Sequence, residues 1–109
     1  MTAEKNLGQF EEIVLLATLR LAGKGYGKTI REEVSEATGR DVSIGALYAT
    51  LDRLERKGFI ESRQGEATPE RGGRAKRYFK VGGAGIAALN AMQAARNKLT
   101  SLKLSPAST

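Results

Sequence analysis

The sequence predicts a mainly helical α+β fold, in which three helices precede a two-stranded β-hairpin and a fourth helix follows it. Two observations support this class. Apolar residues recur at helical spacing in three segments between residues 7 and 57. Two strand-like segments then flank a loop that contains Pro and Gly, before an Ala-rich helical segment at residues 84–104. A chain of 109 residues is long enough for one small core.

The first helix is predicted to be apolar over most of its circumference. Its apolar residues recur at helical spacing and have further leucines beside them: Leu7, Phe10, Ile13, Val14, Ala17 and Leu21, with Leu15, Leu16 and Leu19. A helix of this kind has to be covered on more than one side. We therefore expect the domain to cover one face and a partner chain to cover another. The Gly23-Lys24-Gly25 segment ends the helix.

The second and third helices are predicted at residues 26–38 and 43–57. Gly39 closes the second helix, and Ser43 is a favourable N-cap for the third. Gly58 stands at the usual place just after a helix end. Two helices joined by a turn of about four residues match a helix-turn-helix.

The hairpin follows directly, with strands at 59–63 and 78–81. Between Arg71 and Lys80 there are five cations and no acid, although the whole chain has a net charge of only +6. The sequence pI is 9.9, which favours a polyanionic partner. A helix followed by a basic hairpin is typical of a winged helix, which places the helix in the DNA major groove and the hairpin on the backbone.

We predict that one side of the third helix contacts DNA. Small residues there permit close approach to base edges, and the polar residues offer hydrogen bonds; the candidates are Ser43, Gly45, Ala46, Tyr48, Ala49, Thr50 and Arg53. For Tyr48, core packing alone and packing combined with a phosphate contact are both open. Arg53 has three alternatives: a base contact, a phosphate anchor, or an ion pair with Glu55 or an acid of the second helix. A plain solvated face is the alternative for the whole set.

The hairpin loop supplies the second group of candidates. Gly72 and Gly73 permit a tight turn, and one of the flanking Arg71 and Arg74 is expected in the minor groove. Lys76 and Arg77 are expected on phosphates, with strand alternation pointing them to opposite faces. A solvated run of charge is the alternative interpretation.

The last helix is predicted to pair with a second copy of the chain. Its residues Ala88, Met92, Ala95, Leu99 and Leu102 form a short heptad line. Phe10, Val14 and Leu21 of the first helix are the other interface candidates, and packing within one chain is the alternative. The predicted organisation is a DNA-binding domain at 1–81, a dimerisation helix at 82–104 and a flexible tail at 105–109.

Other classes of function find little support in the composition. The chain has no Cys and no His, which removes thiolate metal sites, the commonest metal ligand and the commonest general base. The sequence contains no recognisable set of catalytic residues, so we expect neither an enzyme nor a bound metal or cofactor. The longest apolar run, residues 13–19, is too short to span a bilayer, and a cytoplasmic protein is expected.

Several separated motifs resemble the PadR family of bacterial transcriptional regulators. They are Leu7-Gly8-Gln9-Phe10-Glu11, Tyr26-Gly27, the run from Val42 to Gly58, and Arg71-Gly72-Gly73-Arg74-Ala75-Lys76-Arg77-Tyr78-Phe79. The resemblance covers residues 7–90. It implies a winged helix-turn-helix repressor that dimerises through its C-terminal helix, binds a palindromic operator, and is open to regulation by a small-molecule effector. The single C-terminal helix is similar to the smaller subfamily.

This sequence departs from the family pattern at two points. Val81-Gly82-Gly83-Ala84-Gly85 replaces the usual Leu-Thr-x-x-Gly, which leaves Gly82 as a weaker N-cap for the last helix. The chain also has no Trp, on which drug-sensing members stack flat ligands. Two rival functions remain beside a repressor: a winged-helix protein–protein module, and a non-specific nucleoid protein.

Overall fold

A computed structural model describes residues 6–65 and 75–101, and these residues confirm the mainly helical α+β class. The helices are α1 (Gln9–Arg20), α2 (Gly27–Thr38), α3 (Ile44–Arg56) and α4 (Gly83–Leu99). The strands are β1 (Gly25–Tyr26), β2 (Ile60–Gln64) and β3 (Arg77–Val81). Within these described residues, no helix is both long enough and apolar enough to cross a bilayer.

The helix boundaries agree with the local chemistry of the sequence. The hydroxyl oxygen of Ser43 accepts a hydrogen bond of 3.1 Å from the backbone N–H of Ala46, so Ser43 is the N-cap of α3. Gly39 and Gly58 follow α2 and α3 with φ angles of +71° and +81°, in the left-handed region that favours glycine. These two glycines therefore end the helices where the sequence predicts.

The sheet has one strand more than predicted. Its order is β1-β3-β2, with both pairs antiparallel. In the short β1, Gly25 lies opposite Phe79 and Tyr26 lies opposite Tyr78. A Cβ atom at Gly25 would come within 2.9 Å of the Leu21 side chain, so this strand needs glycine to lie so close to α1. Two residues are too few to show the alternation by which a strand is recognised.

The core lies where α1, α2 and α3 meet one face of the sheet. Its fully buried apolar side chains come from these three helices and from β3: Val14, Leu15, Ile30, Val34, Leu47, Leu51, Leu54 and Phe79. At α4, the buried residues are Gly85 and Leu89. Gly85 faces the Phe59 carbonyl oxygen so closely that a Cβ atom would collide with it. This glycine therefore sets how near α4 comes to the start of β2.

The apolar side chains of α1 that remain exposed are not the ones that were predicted. Val14 is completely buried inside its own chain, so its assignment to a partner surface was wrong. Phe10 and Leu21 are partly buried and pack against the same core. The exposed apolar side chains of α1 are instead Leu16 and Leu19. Helical spacing alone cannot separate these faces when nearly every position is apolar.

Candidate nucleic-acid interface

The turn between α2 and α3 is held by polar contacts that fix the crossing of the two helices. Arg31 of α2 donates a hydrogen bond of 2.9 Å to the carbonyl oxygen of Val42 and pairs with the Asp41 carboxylate at 3.4 Å. The backbone N–H of Val42 donates to the Ser35 hydroxyl oxygen at 3.2 Å. Together with the Ser43 cap, these contacts position the first turn of α3.

The N-terminal half of α3 presents small and apolar side chains to solvent. Besides Tyr48, the exposed residues there are Ser43, Ile44, Gly45, Ala46 and Ala49. Nothing lies within 4 Å of a Cβ atom built on Gly45, so the helix backbone is open to a neighbour on this side. Ile44, the first residue of the helix, is 47% exposed although it is apolar. A surface of this kind suits close approach to base edges and apolar contact with thymine methyl groups.

Tyr48 lies between α3 and the start of α2. A Cβ atom at Gly27 would overlap the hydroxyl end of the Tyr48 ring, so glycine at residue 27 makes room for the ring. The side chain remains partly exposed, at 36%. Its hydroxyl is therefore near the N-terminal end of α2, where backbone N–H groups favour anions. This position is compatible with both alternatives for Tyr48, packing alone and packing combined with a phosphate contact.

Thr50 does not face the predicted interface. It is 1% exposed, and its hydroxyl donates a hydrogen bond of 2.9 Å to the Ala46 carbonyl oxygen. Thr50 is three residues after Leu47 and four before Leu54, which places it on the buried side of the helix. The expectation that it contacts DNA was wrong for this reason.

Arg53 is paired inside the chain, with an acid that the sequence did not suggest. Its Nε lies 3.2 Å from Glu11 Oε2, and its Nη2 lies 3.2 Å from the Thr50 hydroxyl oxygen. Glu11 also accepts hydrogen bonds of 2.7 Å from Lys57 and of 2.7 Å from the Gly8 backbone N–H. The predicted partners were Glu55 or an acid of α2, whereas the actual partner is on α1.

The carboxyl group of Glu11 is buried, and two opposing effects act on its pKa. Burial raises the pKa, because it penalises the charged form. Hydrogen bonds from Gly8, Lys57 and Arg53 favour the charged form and outweigh burial, so the pKa of Glu11 is lowered. Glu11 is therefore an ionised link between α1 and the second half of α3.

Arg77 and Lys76 point to opposite faces of the sheet, as strand alternation requires. Arg77 pairs with Glu55 and lies 3.6 Å from Asp52, both on α3. It therefore fastens β3 to α3 rather than facing a phosphate, which corrects its predicted role. Lys76 lies on the other face, with its Nζ 3.7 Å from the centre of the Tyr26 ring.

The tip of the hairpin lies outside the described residues. This applies to Arg71, Gly72, Gly73 and Arg74, whose predicted DNA contacts stay predictions. The strands that carry the tip are described: β2 and β3 pair from Ile60–Val81 to Gln64–Arg77, and the Gly65 N–H donates to the Lys76 carbonyl oxygen at 2.7 Å.

Arg56 is a candidate that the sequence reasoning missed. It is exposed, and it follows Ala49 by seven residues, which is close to two helical turns. No salt bridge within 6–65 and 75–101 includes it, whereas Arg53 and Arg77 both have carboxylate partners. The spacing from Gly45 and Ala49 could have identified Arg56 as a cation on the outward side of α3.

The predicted dimer residues of α4 fall along one side of an exposed helix. Ala88 and Met92 are partly buried, whereas Ala95 and Leu99 are exposed, with Leu99 at 83%. A groove lined by Asn6, Leu7, Ala88, Ala91, Met92 and Ala95 runs along this side. Leu102 lies outside the described residues. Apart from Val14, the described candidates therefore keep surface that a second copy can cover.

Comparison with known proteins gives a family and several similar structures. Residues 15–91 match the PadR-like family of transcriptional regulators. A PadR-like transcription factor from Bacteroides fragilis is similar, with 26% identity, a TM-score of 0.74, and coverage of 86% of this chain and 85% of that one. No curated protein matches.

Two further structures share the fold at lower identity. A Streptococcus transcriptional regulator has 23% identity and a TM-score of 0.67, with 84% of this chain and 85% of that one covered. A PadR-like regulator from Bacillus cereus has 17% identity and a TM-score of 0.68, with 84% of each covered. The family match spans most of the described helices and all three strands. This chain therefore belongs to the PadR-like family and is a DNA-binding transcriptional regulator, not an enzyme.

Proposed function

We propose that the protein is a repressor that binds a two-fold symmetric promoter site as a homodimer. The observation that carries the proposal is the arrangement of α3. One side of its first two turns is exposed and carries mostly small and apolar residues, and its second half is tied to α1 through Glu11 and to β3 through Arg77. A helix held in this way can enter the major groove without reordering, and the hairpin beside it meets the backbone.

The excess positive charge supports a DNA partner, and its concentration near the hairpin indicates which side of the protein faces the DNA. The chain has a net charge of +6, and five of its cations lie between residues 71 and 80. Phosphate contacts from these cations, apart from the paired Arg77, would position the helix, whereas base contacts from α3 would supply the sequence preference.

Dimerisation is required because one winged helix reads too few base pairs for a single genomic address. The surface for it is the exposed side of α4, at Met92, Ala95 and Leu99, together with the apolar side of α1. Two copies related by a two-fold axis would then place two α3 helices on successive turns of the same DNA face.

Selection of bound duplexes from a random pool tests this function. We expect enrichment of an inverted repeat, which the protein binds about 10³-fold or more tightly than a scrambled duplex at physiological salt. A non-specific nucleoid protein would enrich no sequence and bind both duplexes alike over a salt series. A protein–protein module would bind neither. Fusion of the selected site to a reporter promoter then separates repression, the expected result, from activation.

A further inference from the structure

A row of side chains crosses the sheet on the face opposite to α3. Tyr26 of β1 lies opposite Tyr78 of β3, and Tyr78 lies opposite Arg63 of β2. Phe79, the next residue of β3, is fully buried on the other face. Lys76 is two residues before Tyr78, so alternation places it on the same side as the row.

The members of this row contact one another as two rings and two cations. The rings of Tyr26 and Tyr78 lie 5.7 Å apart at 76°, in an edge-to-face arrangement. The ammonium of Lys76 lies 3.7 Å from the centre of the Tyr26 ring, and the guanidinium carbon of Arg63 lies 4.8 Å from that of Tyr78. We call Lys76, Tyr26, Tyr78 and Arg63 the cation–aromatic row.

The charges in this row differ from those of the arginines that are paired with acids. Arg53, Arg77 and Arg96 each have a carboxylate partner that neutralises them. Lys76 and Arg63 form no salt bridge among the described residues, and they rest on rings instead. A ring restricts a cation to one place but leaves its positive charge available to an anion.

The row also begins at the helix whose N-terminal end adjoins α3. Tyr26 is the N-cap of α2, and its neighbour Gly27 lies under the Tyr48 ring of α3. At the other end, Lys76 and Arg63 belong to the strands that lead into the basic hairpin. The row therefore joins the DNA-facing helix to the base of the hairpin. Glu61 and Lys80 form the next pair on this face and balance each other in charge.

We propose that Tyr26 and Tyr78 are positioning residues, which hold Lys76 and Arg63 in place as contacts to the DNA backbone beside the major groove. The proposal rests on the function proposed above, since it assigns the phosphate contacts of that same DNA site. It also explains why Lys76 stays available to DNA although the adjacent Arg77 is paired to α3.

A double-mutant cycle on Lys76→Gln and Tyr26→Leu, with Tyr26→Phe as matched control, tests the proposal. Affinity for the selected duplex is measured over a salt series. Lys76→Gln is expected to make the salt slope shallower by about 0.9, the amount for one lost phosphate contact. Tyr26→Leu is expected to weaken binding about two- to fivefold, and Tyr26→Phe, which keeps the ring, is expected to bind normally.

The decisive outcome is the coupling between the two changes. Tyr26→Leu should have almost no further effect in the Lys76→Gln background, because the cation that it positions is gone. An equal effect in both backgrounds, or an unchanged salt slope for Lys76→Gln, would overturn the proposal. Thermal melting of each variant is the control for folding. If Tyr26→Leu does not fold, the same cycle on Arg63→Gln and Tyr78→Leu, the second ring–cation pair of the row, decides the question.

The same experiment keeps this inference separate from the proposed function. A wild-type protein that prefers the selected duplex over a scrambled one supports the regulator, whatever the variants do. Wild-type preference without coupling between residues 26 and 76 rejects only the positioning role. A wild-type protein without any preference rejects the proposed function itself.

Discussion

Helices α3 and α4 are both linked to α1 by a buried glutamate, yet they are held to very different degrees. Helix α3 buries Leu47, Thr50, Leu51 and Leu54, and adds ion pairs from Arg53 and Lys57 to Glu11. Helix α4 buries Gly85 and Leu89, and adds one ion pair, of 2.6 Å, from Arg96 to Glu12. Glu11 is therefore part of a large set of contacts that holds α3, whereas the adjacent Glu12 is part of a small set that holds α4.

The difference matches what each helix has to do in a dimeric DNA-binding protein. The position of α3 relative to the hairpin must be set within one chain, because both contact the same stretch of DNA. In the proposed dimer, a partner completes the position of α4, so its uncovered side is available for pairing. Under this proposal, the extent of burial within one chain separates α3, which would read DNA, from α4, which would pair with a second copy.

The largest effect is expected from a variant that disrupts pairing through α4. Leu99→Asp places a charge in the proposed apolar contact between two α4 helices, and should shift the protein toward monomer. Operator affinity should then fall by about 100-fold or more, because the two half-sites are no longer bound together. Sedimentation at micromolar concentration and binding to the selected duplex measure the two effects.

Asn97→Asp is the matched control for that variant. It adds the same charge to the same exposed helix, about 200° around the axis from Leu99. We expect it to remain dimeric and to bind normally. A Leu99→Asp protein that stays dimeric and binds like the Asn97→Asp control would rule out this placement of the interface.

The second prediction concerns the anchor of α3. Glu11→Gln keeps the shape of the side chain but removes the charge that Arg53 and Lys57 share. We expect the free energy of unfolding to fall by about 1–3 kcal/mol, measured by urea denaturation at neutral pH. Glu12→Gln should cost about 1 kcal/mol or less, because its partner Arg96 is half exposed and screened by solvent. A larger loss of unfolding free energy for Glu12→Gln than for Glu11→Gln would contradict the view that α3 is held more strongly than α4.

Acid should weaken the same anchor. The pKa of Glu11 is lowered in the folded state, so its contribution is present above the ordinary value of 4.5 and is lost as pH falls through the folded pKa. Stability of the wild type should therefore drop more steeply in this range than that of Glu11→Gln, whose residue 11 does not titrate. Parallel curves of unfolding free energy against pH would show that Glu11 does not contribute in this way.

The smallest effects are expected at two arginines of α3, which should differ in whether they affect stability or DNA binding. Arg53→Ala should leave the preferred operator sequence unchanged and lower stability by about 0.2–1 kcal/mol, since Arg53 is half exposed and paired to Glu11. Arg56→Ala should leave stability unchanged but make the salt slope shallower by about 0.9, if Arg56 meets one phosphate. Selection of bound duplexes with each variant checks the sequence preference. A changed base preference for Arg53→Ala would restore it as a base-reading residue.

Much of the fold could be predicted because the relevant signals are local. The cap at Ser43 and the glycines at 39 and 58 act within one turn of chain, so the helices end within a residue or two of the prediction. By contrast, β1 consists of two residues and exists only because β3 pairs with it. No local pattern could have shown it.

The candidate site was predicted less completely, for a different reason. The exposed face at Gly45, Ala46 and Ala49 follows from helical period, and Thr50 was misplaced although the same period puts it beside Leu47 and Leu54. The pairing of Arg53 with Glu11 joins residues 42 positions apart in sequence. Such a contact depends on how α1 crosses α3, which periodicity does not determine.

The spacing of the two half-sites tests the central claim most directly, namely that an exposed α4 fixes two anchored α3 helices relative to each other. Affinity is measured for the selected operator and for versions in which the half-sites are moved apart by about five or about ten base pairs, roughly half a turn and one full turn of DNA. A rigid dimer should lose most of its preference over scrambled DNA in both altered operators, because half a turn moves one site to the opposite face and a full turn exceeds its reach. Unchanged affinity for either altered operator would contradict the account, since each α3 would then read its half-site independently of the other.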